Sequence, residues 1–302
     1  MSAKFQSFLA VLLLLTLPVW AQNHKSTKAP ATADWKDVDA AMGRAGQDQP
    51  DGTHKYGLPR KDMNVTVNGV QIKAGLALGS WVAFKATSQG NAMAMGDLVL
   101  AEDEVAPVMA ELQSGGIEIT ALHNHLIGET PRVMYMHING MGNAASLAKA
   151  IHSAIAKTKT PDAAAAAAPP DLDIDTKQID QILGHAGKNN GGIYQVGVPR
   201  AEHITEAGMA IPNSMGVATA LNFQPTGGGK AAITGDFVLL GKEVNPVIKA
   251  LRENGIAVTA LHSHMLNDQP HLFFMHFWAN DDALKLAKGL RAALEQTNSA
   301  KK

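Results

Sequence analysis

The chain has 302 residues, of which 46% are hydrophobic and 18% are charged, and its formal net charge is -1. This length and composition predict two globular domains with packed cores, and the balanced charge argues against the basic surplus typical of nucleic-acid-binding proteins. The chain has no cysteine, which excludes disulfides and a thiol-anchored lipoprotein, so any metal site must use imidazole and oxygen ligands.

The first 21 residues have the layout of a secretory signal peptide. Lys4 supplies a positive charge, an apolar stretch runs from Phe8 to Val19, and Ala21 ends the segment on a small residue. The apolar stretch is shorter than the ~20 residues that a membrane-spanning helix needs. We expect cleavage of residues 1–21, a mature chain that begins near Gln22 and has no stable membrane span, and a periplasmic or extracellular location. The alternative is an uncleaved membrane anchor.

Beyond the signal peptide, the pattern changes from polar sequence to alternating helices and strands. Residues 22–33 are polar and predict a disordered linker. The predicted helices are 35–44, 102–113 and 144–158, and the predicted strands are 64–67, 76–85, 92–99, 117–125 and 133–139. Strands grouped together and flanked by helices predict an α+β fold, with a mainly antiparallel sheet and helices on one face.

The same pattern then occurs a second time. The recurring strings are Gly57-Leu58-Pro59-Arg60 with Gly197-Val198-Pro199-Arg200, Gly96-Asp97 with Gly235-Asp236, and Glu104-Val105-Ala106-Pro107-Val108 with Glu243-Val244-Asn245-Pro246-Val247. The offset settles at 139 from Gly96 onward, which chance would not maintain across so many positions. The sequence therefore predicts two tandem homologous domains at 34–159 and 173–298, joined by an alanine- and proline-rich linker at 160–172.

Seven of the twelve histidines lie in two short windows, 122–137 and 261–276. Side chains two residues apart in a strand point to one face, so each His-x-His string presents two imidazoles together. That arrangement is half of a common transition-metal site. The predicted metal ligands are His123, His125 and His137 in the first domain, and His262, His264 and His276 in the second.

The third histidine of each set depends on the strand register. A tight hairpin centred on Gly128 would carry His137 too far from the pair, whereas a loop from Leu126 to Met134 would place it directly opposite His123. Pro131 cannot donate to a sheet ladder and favours the longer loop. The alternatives to a metal site are ordinary hydrogen-bonded histidines or metal-free acid–base chemistry.

Three strings overlap the histidine windows: Ala-Leu-His-Asn-His at 121–125, Glu-Thr-Pro-Arg-Val-Met-Tyr-Met-His at 129–137, and Leu-Phe-Phe-Met-His-Phe-Trp at 272–278. They resemble the LppY/LpqO family of exported bacterial proteins, over residues 34–298. The resemblance implies export and two tandem copies of a domain of unknown function. It implies no catalytic residues. Members that look like lipoproteins differ from this chain, which lacks the cysteine needed for lipid attachment.

Two further features have competing interpretations. Arg60 and Arg200 follow Gly-x-Pro turns, where they would either clamp an anion or, as the turn favours, project into solvent. Strand alternation places Met134 and Met136 on the face opposite His137, which predicts core packing rather than copper ligation.

The sequence as a whole predicts an exported protein with a histidine-based divalent-metal site in each repeat. Zinc is the first expectation, with copper, manganese or iron as alternatives. One competing function is a metal-dependent hydrolase or lyase that uses Glu129 as the base. The other is a non-catalytic protein that binds an unidentified small molecule or envelope ligand, or has a structural role in the envelope. The sequence leaves enzyme activity undecided.

Overall fold

The computed structural model describes residues 34–88, 90–162 and 168–300. The predicted signal peptide at 1–21 and the predicted linker at 22–33 lie outside these ranges, as do residues 163–167 of the second linker. No helix in the described ranges is long and apolar enough to cross a membrane.

The described residues of the first repeat form nine strands and four α-helices, with a 3-10 turn at Glu102–Glu104 before the third helix. In chain order they are α1 (Lys36–Met42), β1 (Gln47–Asp48), β2 (Thr53–Pro59), β3 (Thr66–Val67), β4 (Val70–Gln71), α2 (Ala74–Ala77), β5 (Gly79–Ser88), β6 (Asn91–Ala101), α3 (Val105–Ser114), β7 (Glu118–His123), β8 (Glu129–Thr130), β9 (Val133–Asn143) and α4 (Ala144–Ile155).

The second repeat contains the corresponding elements, with a 3-10 turn at Asn213–Met215 in the place of α2. They are α5 (Thr176–Leu183), β10 (Lys188–Asn190), β11 (Ile193–Pro199), β12 (Thr205–Glu206), β13 (Met209–Ala210), β14 (Ala218–Gly227), β15 (Lys230–Leu240), α6 (Gly241–Glu253), β16 (Ala257–His262), β17 (Asp268–Gln269), β18 (Leu272–Asp282) and α7 (Ala283–Leu294).

Strand order is the same in the two repeats. The main sheets run β1-β2-β5-β6-β9-β7 and β10-β11-β14-β15-β18-β16, and each repeat adds a small sheet, β4-β3-β8 or β13-β12-β17. Neighbouring strands pair antiparallel throughout. The predicted α+β class, with two tandem antiparallel domains and flanking helices, is therefore confirmed.

One face of each main sheet is covered by that repeat's own helices. In the first repeat, Met136 and Ile138 of β9 pack in one core with Leu147 and Ile151 of α4. The second repeat has the same arrangement, with Phe277 of β18 packed in the core that α7 completes. Met136 lies on this face, opposite the histidine face, as strand alternation predicts.

The other face of each main sheet is covered by the other repeat. Two apolar clusters join side chains from both halves: one contains Val99 and Tyr135 with Ile193 and Trp278, and the other contains Met93 and Met95 with Val238 and Phe274. The two sheets therefore face each other between outer layers of helices, and both repeats belong to one compact unit. This double burial explains why β6 is buried along nearly its whole length.

Candidate functional site

The histidines and two aspartates share the inner face between the sheets. Asp97 of β6 lies directly opposite His137 of β9, and Asp236 of β15 lies opposite His276 of β18. All four residues are buried or nearly so. Each aspartate is therefore a cross-strand neighbour of a predicted metal ligand, and sequence reasoning did not assign it a role.

A glycine before each aspartate lets the strands come close enough for this pairing. A Cβ on Gly96 would lie 2.8 Å from the carbonyl oxygen of Trp81, and a Cβ on Gly235 would collide with the carbonyl of Ala220. A larger residue would push the neighbouring strand away. The recurrence of Gly-Asp in both repeats was the sequence signal that could have identified the aspartates.

The register between β7 and β9 differs from the one favoured by Pro131. Ala121 is the partner of His137, and His123 is the partner of Tyr135, with an irregularity between Ile119 and Ala121. The prediction that His123 directly faces His137 is therefore wrong by two residues. The two imidazoles still lie on one face, with ring centroids 5.0 Å apart.

The six predicted histidine ligands form one cluster rather than two separate sites. Across the repeats, ring centroids are 3.6 Å apart in three pairs: His123 with His262, His125 with His276, and His137 with His264. His123 and His262 occupy equivalent positions, so this pair lies at the centre of the cluster. The interface between the repeats places side by side imidazoles that are 127 residues or more apart in the chain.

The ligand-type atoms of this cluster are buried without hydrogen-bond partners. In the part of the chain that the structure describes, this holds for Nε2 of all six histidines and for Oδ1 of Asp97 and Asp236. Buried polar atoms are nearly always paired in proteins, so a concentration of unpaired ones requires an explanation. The atoms are also too far apart to pair directly, since His137 Nε2 is 3.8 Å from Asp97 Oδ1 and His264 Nε2 is 3.9 Å from Asp236 Oδ2.

These separations suit a shared metal ion. Two ligands that each lie about 2.1 Å from a tetrahedral ion are roughly 3.4 Å apart. Four groups have ligand atoms within 4.8 Å of one another: Asp97 with His125 and His137, Asp236 with His264 and His276, His123 with His262 and His264, and His123 with His125 and His276. Each of these groups could hold a metal ion, and two of them draw on both repeats.

Burial sets the protonation state of the cluster. It lowers the pKa of His123 to about 4 and that of His262 to about 3, and it raises the pKa of Asp97 to about 7. The imidazoles are therefore neutral at pH 7, which is the form that binds metal. His276 Nδ1 donates to the carbonyl oxygen of Gly235 at 2.8 Å, which leaves the lone pair on Nε2, toward Asp236.

Glu129, the predicted base, belongs to none of these four groups. Its Oε1 accepts a hydrogen bond from the backbone N–H of Val133 at 3.1 Å, while Oε2 is buried without a partner among the described residues. Burial raises the pKa of Glu129 to about 7. Asp268, its counterpart, accepts from the backbone N–H of Leu272 in the same way, so this carboxylate closes the loop in both repeats.

Arg60 and Arg200 neither clamp a ligand nor project into solvent. Arg60 is 1% exposed, donates to both carboxylate oxygens of Glu104 at 2.6 and 2.9 Å, and donates to the carbonyl oxygen of Val99. Arg200 forms the same bidentate pair with Glu243. Both expectations for these arginines were therefore wrong: the recurring Arg and Glu strings form a buried structural ion pair in each repeat.

A narrow crevice opens beside His137 and His264. A small ligand that entered it would meet these two imidazoles between apolar walls from both repeats, formed by Trp81, Met95, Met215 and Phe274.

The family profile described as "Domain of Unknown Function (DUF1259)" matches residues 36–157 and 177–296. No curated protein matches the chain significantly. Solved structures that it resembles include the trimeric bacterial microcompartment shell protein PduB, at 12% identity over 85% of this chain and 96% of that chain, with a TM-score of 0.23. EtuB from Clostridium kluyveri matches at 9% identity over 83% and 88%, with a TM-score of 0.19. Scores this low carry no structural or functional argument.

Proposed function

The chain belongs to the family described as a Domain of Unknown Function (DUF1259), and we propose that it is an exported protein that binds two divalent transition-metal ions between its repeats. Support for export comes from the signal-peptide layout of residues 1–21 and from the strings that resemble the LppY/LpqO family. If the protein binds a further ligand besides the metal, we expect that ligand to be a small molecule or a component of the envelope.

One observation carries the metal proposal: six buried imidazole nitrogens and two carboxylate oxygens converge without partners among the described residues. Leaving a buried polar atom unpaired costs about 1–3 kcal/mol, so eight at one place would be strongly destabilising. Metal ions would offset this cost by accepting the nitrogen lone pairs and balancing the buried aspartates.

The number of ligands supports two ions. A tetrahedral zinc ion uses four ligands, and the cluster supplies eight side chains. Two equivalent groups each contain one aspartate and two histidines of the same repeat, with His123 and His262 between them. Each ion would bind one aspartate-containing group, and both ions would draw further ligands from the central pair.

Zinc is the first choice of metal because neutral imidazole and carboxylate ligands suit it. Copper, manganese and iron accept related ligand sets and are the alternatives. The chemistry that such ions supply is Lewis-acid activation of a bound molecule, and the crevice beside His137 and His264 has room for a molecule of about the size of water.

The experiment is to measure metal content after export and purification without added metal. We expect two ions per chain, and one ion per chain in each of Asp97→Asn and Asp236→Asn. The matched control is His203→Ala, because His203 is exposed and outside the cluster, and it should keep both ions. A wild-type protein that holds no metal even after incubation with zinc would refute the proposal, and so would unchanged content in both aspartate variants.

Intact mass of the exported protein tests the location part of the proposal. The expected mass corresponds to a chain that begins near Gln22. An exported chain that retains residues 1–21 would contradict cleavage.

The second candidate is a metal-dependent hydrolase or lyase with Glu129 as the base. It is supported by the raised pKa of Glu129, about 7, and by its unpartnered Oε2, which suit a group that exchanges protons near neutral pH. Glu129→Gln should then retain both metal ions and lose turnover. A Glu129→Gln protein with unchanged turnover of any substrate found would remove this role.

A further inference from the structure

A serine, a histidine and an aspartate lie in a hydrogen-bonded row in the second repeat. Ser263 Oγ is 3.2 Å from His271 Nε2, and His271 Nδ1 is 2.9 Å from Asp268 Oδ1. This is the arrangement of a nucleophile, a base and a group that orients the base. Neither the family description nor the metal proposal assigns these three side chains a role as a unit.

The aspartate fixes the orientation and the tautomer of the imidazole. The Asp268 side chain is 1% exposed, and its Oδ2 accepts from the backbone N–H of Leu272 at 2.6 Å. Because its Oδ1 accepts from His271 Nδ1, the imidazole proton is on Nδ1 and the lone pair of Nε2 faces the serine hydroxyl. Phe273 packs against the imidazole in a T-shaped arrangement, with ring centroids 5.0 Å apart.

The serine hydroxyl is held from two sides. Ser263 Oγ lies 3.1 Å from the carbonyl oxygen of Leu272 as well as 3.2 Å from His271 Nε2. Its single proton is therefore donated to one acceptor at a time, and the oxygen itself stays beside the base. Ser263 is flanked in sequence by His262 and His264, yet these hydrogen bonds connect it to the loop and not to the metal cluster.

The row is open to an incoming molecule. The His271 side chain is 54% exposed, and Ser263 is partly exposed. Leu261 and Leu266, two and three residues from Ser263, are 44% and 61% exposed. They give the surroundings of the serine an apolar character, which suits an uncharged substrate with a hydrocarbon part.

We propose that Ser263, with His271 as its base and Asp268 as the positioning residue, accepts an acyl group from a carboxylic ester. Ser263 Oγ forms a bond to the carbonyl carbon as its proton moves to His271 Nε2. The ester C–O bond then breaks, and the alcohol leaves with that proton. Water next attacks the acyl-serine and gives a proton to His271, the acid is released, and the proton returns to Ser263. The net reaction consumes ester and water and yields acid and alcohol.

The first repeat lacks this row. The equivalent positions hold Asn124, Arg132 and Glu129; the Arg132 side chain is 68% exposed and lies 3.8 Å from Glu102. An amide and a guanidinium supply neither a nucleophilic hydroxyl nor a base. The proposed activity therefore belongs to one repeat, and Asn124 supplies a control position in an equivalent loop.

The test is covalent labelling of the full-length protein with a fluorophosphonate, which captures an activated serine with loss of fluoride. Intact mass should increase by one label, and peptide mapping should place the label on Ser263. Ser263→Ala should abolish the label, whereas Asn124→Ala should label at the wild-type rate. His271→Gln should slow labelling by about a hundredfold, the usual contribution of a general base.

Circular dichroism and metal content show that each variant is folded with an intact cluster. Asp268 is tested by labelling of Asp268→Asn and Asp268→Glu: the amide should slow labelling because it no longer selects the tautomer with the proton on His271 Nδ1, and the conservative carboxylate should restore part of the rate. Hydrolysis of p-nitrophenyl butyrate, lost in Ser263→Ala, would support the ester as substrate. A label elsewhere, or an unchanged rate in folded His271→Gln, would overturn the proposal.

Discussion

The two repeats match each other at the inner face and diverge at the middle residue of the His-x-His string and in the loop that follows it. Strand order, the Gly-Asp step and the buried Arg–Glu pair recur in both, because each is held by contacts that the other repeat or its own core requires. At these positions Asn124 corresponds to Ser263 and Arg132 to His271. Side chains that face outward are free of those contacts, so the two copies can differ there in chemistry without losing the fold.

The comparison also changes which repeat contains the better candidate for acid–base chemistry. The sequence pointed to the first repeat, through Glu129. The hydrogen-bonded row of Ser263, His271 and Asp268 points to the second, where the aspartate is the counterpart of Glu129. The same loop carboxylate thus supports the loop backbone in both copies and orients an imidazole in only one.

The largest expected effect tests the similarity of the two cores. Arg60→Leu and Arg200→Leu each leave a buried glutamate without its charge partner, so each should lower the free energy of unfolding by about 3–5 kcal/mol. Urea denaturation measures both. Arg132→Ala is the control, because this exposed arginine should contribute less than about 1 kcal/mol. Unequal losses in the two core variants would show that the repeats are not energetically equivalent.

Metal removal tests whether the repeats respond together. If free zinc has been kept hundredfold above its dissociation constant, its removal should lower the free energy of unfolding by about 2.7 kcal/mol for each of the two ions. Calorimetry with a chelator, followed by zinc re-addition, should show one transition that moves down and then recovers. Two transitions of which only one moves would mean that metal binds within a single repeat.

Substitution of the central histidines, His123 and His262, tests whether both metal ions depend on the same side chains. With separate sites, His123→Ala would empty the first repeat and leave the second occupied. His123 lies in groups with His262 and His264 as well as with His125 and His276. We therefore expect His123→Ala and His262→Ala each to lower the affinity for both ions by at least about tenfold, in the range for lost supporting groups. Competition with a coloured chelator measures this. A loss confined to one ion would restore the picture of separate sites.

The smallest effect concerns Tyr135, which corresponds to Phe274. Tyr135 donates its hydroxyl to the carbonyl oxygen of Ala77 at 2.9 Å. Tyr135→Phe gives the first repeat the side chain of the second and should cost about 1 kcal/mol, the usual net contribution of one hydrogen bond. Metal content should not change; its loss would indicate a role for the hydroxyl at the metal centre.

Much of each repeat follows from local pattern. Alternation along the strands predicted that Met136 enters the helix-covered core, and the constant offset predicted the second copy. The strand predicted to reach residue 125 ends at His123, and His125 lies just past it, with its ring 5.1 Å from that of His123. The predicted register of β7 against β9 was wrong because the register depends on the irregularity between Ile119 and Ala121. No turn residue in the sequence indicates that irregularity.

What sequence reasoning missed depends on contacts between distant segments. Asp97 gave no signal beyond its recurrence, since a strand carboxylate becomes a candidate ligand only when its neighbour strand and register are known. Arg60 was misread because its partner, Glu104, is 44 residues away and a Gly-x-Pro turn suggests exposure. The pairing of His123 with His262 depends on which sheet faces meet, which periodicity within one repeat does not determine.

Because both repeats of the cluster belong to one chain, its assembly does not depend on protein concentration. If the two halves were separate chains, the eight ligand side chains would meet only by association, and the centre would disappear at low protein concentration. Covalent linkage replaces that encounter by an intramolecular one, with an effective concentration in the millimolar range for short flexible connections. The single chain therefore keeps these eight side chains assembled at any protein concentration.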